Sequence, residues 1–96
     1  MNKNNSMNTQ WFVQDESGKN IMLTEFAHIP RKGEFLVTED KESDAIYFEV
    51  IGISYFVTPS IKDHAGFGTA GIVHVKSLSE AEYFLRIKNK YSDGLI

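Results

Sequence analysis

The sequence predicts an α+β, mainly β protein: a strongly bent five-stranded antiparallel sheet, a small SH3-like barrel, with one C-terminal helix. Three observations carry that expectation. The run 45–57 is dominated by β-branched and aromatic residues, with Gly52 near its middle. After Ser77 the apolar period changes from two to about 3.6 residues. And 96 residues, 42% of them apolar, supply one core and no more, since domains typically run to about 100–150 residues.

Met1 to Thr9 carries four Asn and little that can be buried, so residues 1–9 are expected to be a disordered polar tail and 10–96 a single domain. Trp11-Phe12-Val13 is aromatic and β-branched and suits a first strand. Asp15 to Asn20 contains Gly18, which takes the positive φ that a tight reversal needs. Ile21 to Ala27 then reads as the return strand of a hairpin. Pro30 lacks an amide donor and biases Ile29 toward extended backbone, and with Gly33 it forms a turn leading into a short strand, Glu34 to Val37. Thr38 to Asp44 is an acidic loop.

Residues 45–57 are too long for an ordinary strand of about five or six residues. Counted strictly by alternation, large apolar side chains fall on both faces: Ile46, Phe48, Val50 and Phe56 on one, Tyr47, Ile51, Ile53, Tyr55 and Val57 on the other. A bend at Gly52 resolves this, because glycine inside a strand marks a bulge or kink. Residues 58–71 form a glycine-bearing loop, and Ile72 to Val75 the last strand. Ser79 and Glu82 match a capping box, and Leu78 and Tyr83 the accompanying hydrophobic staple. Glu80 and Glu82 stand early and Arg86, Lys88 and Lys90 late, as the helix dipole favours. Leu78, Ala81, Phe84, Leu85 and Ile87 make the expected apolar side. A closed barrel and a curved sheet with a helix in its concavity both satisfy these signals; whether the first and last strands meet decides between them.

With no cysteine, the chain excludes disulfides, thiolate metal sites and cysteine nucleophiles. No apolar run approaches the roughly eighteen residues of a membrane span, and the expected location is the cytoplasm. The formal charge of −3 disfavours nucleic acid as a partner. Its distribution is uneven: six acids and one lysine lie between Glu34 and Glu49, four bases and two acids between Lys76 and Lys90.

No cofactor or metal is expected. His28, His64 and His74 lack ligand spacing, and Asp40, Glu42 and Asp44 lack the glycine and terminal glutamate of an EF-hand loop. Gly66-Phe67-Gly68-Thr69-Ala70-Gly71 has the G-x-G-x-x-G spacing but leads into a strand, whereas dinucleotide binding needs it to open a helix. Asp63 and His64 suggest a base, yet no nucleophile is marked. The reading that follows is a non-enzymatic protein-binding module, a small inhibitor or accessory factor of bacterial or mobile-element origin. Its candidate partner-binding residues are Arg31, Lys32, Glu39, Asp40, Glu42, Asp44, His64 and Phe67, and a homodimer through an open sheet edge is a further expectation. The alternative is a nucleic-acid-binding barrel face built from Trp11, Arg31, Lys32 and Tyr55.

The stretch Phe26-Ala27-His28-Ile29-Pro30-Arg31-Lys32-Gly33-Glu34, followed by Tyr47-Phe48-Glu49-Val50-Ile51, resembles an element of small uncharacterised bacterial and phage β-barrel proteins. In those proteins an I-P-R-x-G-(E/D) turn leads into successive barrel strands. The likeness covers under half of the chain. It implies the architecture and lends no catalytic residue.

Overall fold

The computed structural model describes residues 9–57 and 68–91. Within them lie β1 (Gln10–Gln14), β2 (Asn20–Glu25), β3 (Phe35–Glu39), β4 (Ala45–Tyr55), β5 (Gly71–Leu78) and α1 (Glu80–Tyr91). Of the tail expected at 1–9 all but Thr9, and most of the loop before β5, fall outside the described residues. No helix among the described residues is long and apolar enough to cross a membrane.

Local chemistry explains the first hairpin. The Asp15 carboxylate accepts hydrogen bonds from the Ser17 amide, the Ser17 hydroxyl and the Lys19 amide. Gly18 sits at φ +87°, a conformation that costs other residues about 1–2 kcal/mol. The Ser17 hydroxyl, then the Lys19 amide, hold the Asp15 carboxyl below its ordinary pKa.

The strands form one curled half-barrel sheet in the order β2-β1-β5-β4-β3. The β1–β2, β3–β4 and β4–β5 pairs are antiparallel, as expected, whereas β1 and β5 run parallel. That pair is the seam between a two-stranded hairpin and a three-stranded meander. No short turn links its strands, so no turn signal sets their direction. First and last strands therefore do meet, but inside the sheet. β2 and β3 are its edges, standing on either side of a cleft lined by Ile21, Met22, Thr38 and Glu39 over Phe48.

The bend in β4 is a bulge. Val50 pairs with Val75 and Gly52 with His74, so Ile51 is the extra residue. It reverses the alternation: Ile53, opposite Val73, and Tyr55, opposite Gly71, come onto the face already occupied by Phe48 and Val50. The straight count that separated these residues is corrected accordingly. This concave face holds the core of Trp11, Val13, Phe48, Val50, Val73 and Val75. Val13, Val73 and Val75 are wholly shielded from water.

Helix α1 lies on the opposite face. Its start follows the expected capping box: the Ser79 amide donates to Glu82 Oε1 (2.8 Å) and the Glu82 amide to Ser79 Oγ (3.1 Å). Tyr83 stacks on Tyr47 at 4.4 Å between ring centroids and meets Phe35 edge-on. Arg86 pairs with Glu49 of β4, and Lys90 Nζ donates to the Gly33 carbonyl (2.9 Å). The expected apolar side is only partly used. Leu78 is buried as the last residue of β5 and Ile87 is half-buried, but Ala81, Phe84 and Leu85 are exposed. The aromatic ring of Tyr83, counted in the sequence only as a staple, does the packing instead.

Two predictions follow from this geometry. A Cβ at Gly71 would overlap the Ser54 carbonyl oxygen and stand 2.9 Å from Trp11 Cζ3, whereas one at Gly68 meets nothing within 4 Å. Gly71→Ala is expected to cost about 2–3 kcal/mol, and Gly68→Ala under about 1, by denaturant melts. The second concerns acid. The Ser79 amide, then its hydroxyl, hold the Glu82 carboxyl below its ordinary pKa. Glu82 therefore contributes stability that is present above the ordinary glutamate value and lost as pH falls through the lower folded one. In acid titrations followed by circular dichroism, Glu82→Gln should flatten that part of the decline and leave the share due to Asp15.

Candidate functional site

The charged residues singled out in the sequence gather around one strand edge. Arg31 and Lys32 stand exposed in the turn before β3, and Glu39 closes β3. Asp40, Glu42 and Asp44 occupy the β3–β4 turn. Lys90, from the end of α1, joins the basic end, 5.2 Å from the Phe35 ring centroid. Glu34 is the one acid at that end and is engaged there, accepting the Arg31 amide at 2.7 Å. The two ends of β3 thus carry opposite charge. His64 and Phe67, like Asp63, lie outside the described residues.

The acidic turn repeats the construction of the first hairpin. Asp40 Oδ1 accepts the amides of Glu42 (2.8 Å) and Asp44 (3.0 Å), as Asp15 Oδ1 accepts those of Ser17 and Lys19. Ser43 fills the place of Gly18, at φ +66°. One oxygen each of Asp40, Glu42 and Asp44 lies within 4.8 Å of the others, all exposed. The turn's own amides occupy the Asp40 oxygen, so turn geometry accounts for the cluster.

β3 has no strand beyond it among the described residues. Immediately before it, Val50 N–H donates to the Glu34 carbonyl and Gly33 N–H to the Val50 carbonyl, which fixes the phase of the ladder. Alternation then leaves the N–H and C=O of Phe35, Val37 and Glu39 along the free edge. The five residues pair with β4 without interruption and contain neither proline nor lysine. The other edge, β2, is broken by a register shift opposite Val13 and Gln14. Bulges, prolines and lysines are the usual guards of open edges, so β3 is the unguarded one. Val37, and Phe84 and Tyr91 of α1, are each about half exposed. At 100° per residue Phe84 and Tyr91 share one flank of α1, and Glu82 and Arg86 the other. Arg86 reaches inward to Glu49 of β4, and Phe84 meets Tyr47, the β4 residue paired with Val37 of β3, at 6.0 Å between ring centroids.

A second feature is a cavity of about 750 Å³ at the end of the half-barrel, where the chain crosses from β2 to β3. Trp11, Phe26, His28, Arg31, Tyr55 and the buried Thr69 are among its lining. The structure therefore brings together Trp11, Arg31 and Tyr55 of the nucleic-acid reading; Lys32 is outside the lining. Trp11 is 4% exposed, packed against Gly71 and edge-on to Tyr55 at 5.3 Å. Its ring has no free face for a base, and Tyr55, 62% exposed, is the ring of this set open to stacking.

Ser54 Oγ and His74 Nε2 are 2.7 Å apart across β4 and β5. In the sequence His74 stands out only as one of three histidines without ligand spacing, and Ser54 carries no signal. Twenty residues separate the two, and only the bulge brings them onto one face, so no spacing signal exists. Among the described residues no carboxylate is bonded to the other ring nitrogen, the third member that orients a catalytic base. The pair serves as a cross-strand tie.

No protein-family model matches the chain, and neither a curated protein nor a solved structure matches it.

The repeated turn supplies a test. Ser43→Gly should raise stability by about 0.5–1 kcal/mol, since glycine takes positive φ without steric cost. A melting temperature unchanged or lowered would contradict the strain assigned to Ser43.

Proposed function

We propose that this protein is a non-enzymatic protein-binding module acting in the cytoplasm, and that its partner docks on the β3 edge and the adjoining flank of α1. The observation that carries the reading is the juxtaposition of an unguarded edge strand with exposed Phe84, Tyr91 and Val37. An added strand gains main-chain hydrogen bonds from such an edge, and neighbouring apolar side chains supply area and selectivity. Isolated exposed apolar residues need no explanation, but a group beside a free edge is the form an interface takes. Arg31, Lys32, Glu39, Asp40, Glu42 and Asp44 border the same edge and fit the charged rim of such a surface. A small inhibitor or accessory factor of bacterial or mobile-element origin is the form this reading takes, with the same surface as its working part.

The test places a photo-cross-linking benzoylphenylalanine at position 84 and, as control, at the exposed Ser17 of the far hairpin turn. Irradiation of cells expressing the full chain should give discrete polypeptide adducts from position 84, at least about five-fold over position 17. No adduct, or equal adducts from both positions, would defeat the reading.

A further inference from the structure

We infer that the partner on this edge is a second copy of the chain, joined by antiparallel pairing of two β3 strands about a two-fold axis at Val37. The inference rests on the protein-binding reading above and names its occupant. Its ground is that the β3 edge is complementary to itself. At the N-terminal end stand Arg31, Lys32 and Lys90, with Glu34 as the one acid; at the C-terminal end stand Glu39, Asp40, Glu42 and Asp44, with Lys41 as the one base. Antiparallel pairing of a strand with its own copy brings each basic end against the partner's acidic end, twice in one dimer. Parallel pairing would set like charges together. Two-fold symmetry requires this kind of self-matching surface, and most oligomers of identical chains are built on it.

The hydrogen-bond phase agrees. Val37 has its N–H and C=O on the free edge, so two copies of it exchange both bonds at the axis. Phe35 then comes opposite Glu39 of the other copy. Lys90, whose ammonium lies 5.2 Å from the Phe35 ring centroid, stands where that glutamate needs a cation. Val37 is 52% exposed and Phe84 55%. In a two-fold pair the sheet faces continue from one copy to the next, so both helices lie on the same side and Phe84 and Tyr91 flank the junction. The β2 edge offers no such match, because its register shift interrupts a regular ladder.

The experiment uses charge exchange in the full chain. Sedimentation at micromolar concentration and low salt should give twice the chain mass for the natural sequence. Glu39→Lys and Lys90→Glu, which this register sets against each other across the junction, should each weaken dimerisation at least about ten-fold, since like charges then meet twice. An equimolar mixture of the two variants should restore it, because each altered residue finds an opposite charge on the other chain. Loss of folding cannot produce that rescue. As a second measurement, Val37→Cys in a chain with no other cysteine should oxidise to a covalent dimer, the facing Cα atoms being about 5.5 Å apart, within disulfide reach. A monomeric natural chain, variants that fail to rescue each other, or no disulfide from position 37 would overturn the inference. If position 84 still captured a different polypeptide, the protein-binding reading would stand without the dimer; if it captured none, both would fall.

Discussion

One extra residue in β4 governs the architecture. Eleven residues of regular strand would turn Ile53 and Tyr55 away from the face that holds Phe48 and Val50, and the core would lose the packing of Ile53 and the edge of Tyr55 against Trp11. The bulge at Ile51 inverts the alternation, so a single strand feeds one concave face along its whole length. It also adds the twist that curls five strands far enough to enclose Val13, Val73 and Val75. A chain this short cannot build a second layer over a flat sheet, so curvature substitutes for a second layer. Gly71 completes the arrangement: with no Cβ it lets Trp11 and the Ser54 backbone close over the parallel seam.

Features with a local cause were legible in the sequence. Gly18 marked the first reversal, Ser79 and Glu82 the start of α1, and Gly52 the neighbourhood of the bend. Each expresses itself within a few residues, where turn and cap chemistry act. What was not legible depends on residues distant in the chain. The parallel β1–β5 pair is set by how two hairpin-like units fit, and no spacing encodes it. The Ser54–His74 tie exists only because the bulge brings both onto one face. At the candidate site, the acidic turn and Arg31 with Lys32 were visible as charge clusters. That they bracket one unguarded edge, joined there by Lys90, required the fold. Trp11 was misjudged as an open stacking ring, because burial depends on what closes over it.

The two turns beginning at Asp15 and Asp40 show how one local device serves different ends. Both use an aspartate oxygen to collect backbone amides and a residue of positive φ to complete the reversal. In the first, glycine occupies that place and the turn is unstrained. In the second, Ser43 holds it, amid a glutamate and two aspartates that repel one another in the absence of a counter-charge. Only the Asp40 carboxylate serves the turn, by accepting the Glu42 and Asp44 amides; the turn bonds use those two residues' amides and leave their carboxylates in water.

The same tension is visible in α1. A twelve-residue helix is marginal alone in water, where lengths below about 12–15 residues barely persist. None of its residues is buried. It is retained by its capping box, the Tyr83–Tyr47 stack, the Arg86–Glu49 pair and the bond from Lys90 to Gly33. These attach the inner side and leave Phe84, Leu85 and Tyr91 in water. Hydrophobic burial is the largest favourable contribution available to such an element, and here about half of it is unused. A second surface laid against that flank would stabilise the helix and guard the β3 edge at once, since both deficits lie at one place on the molecule.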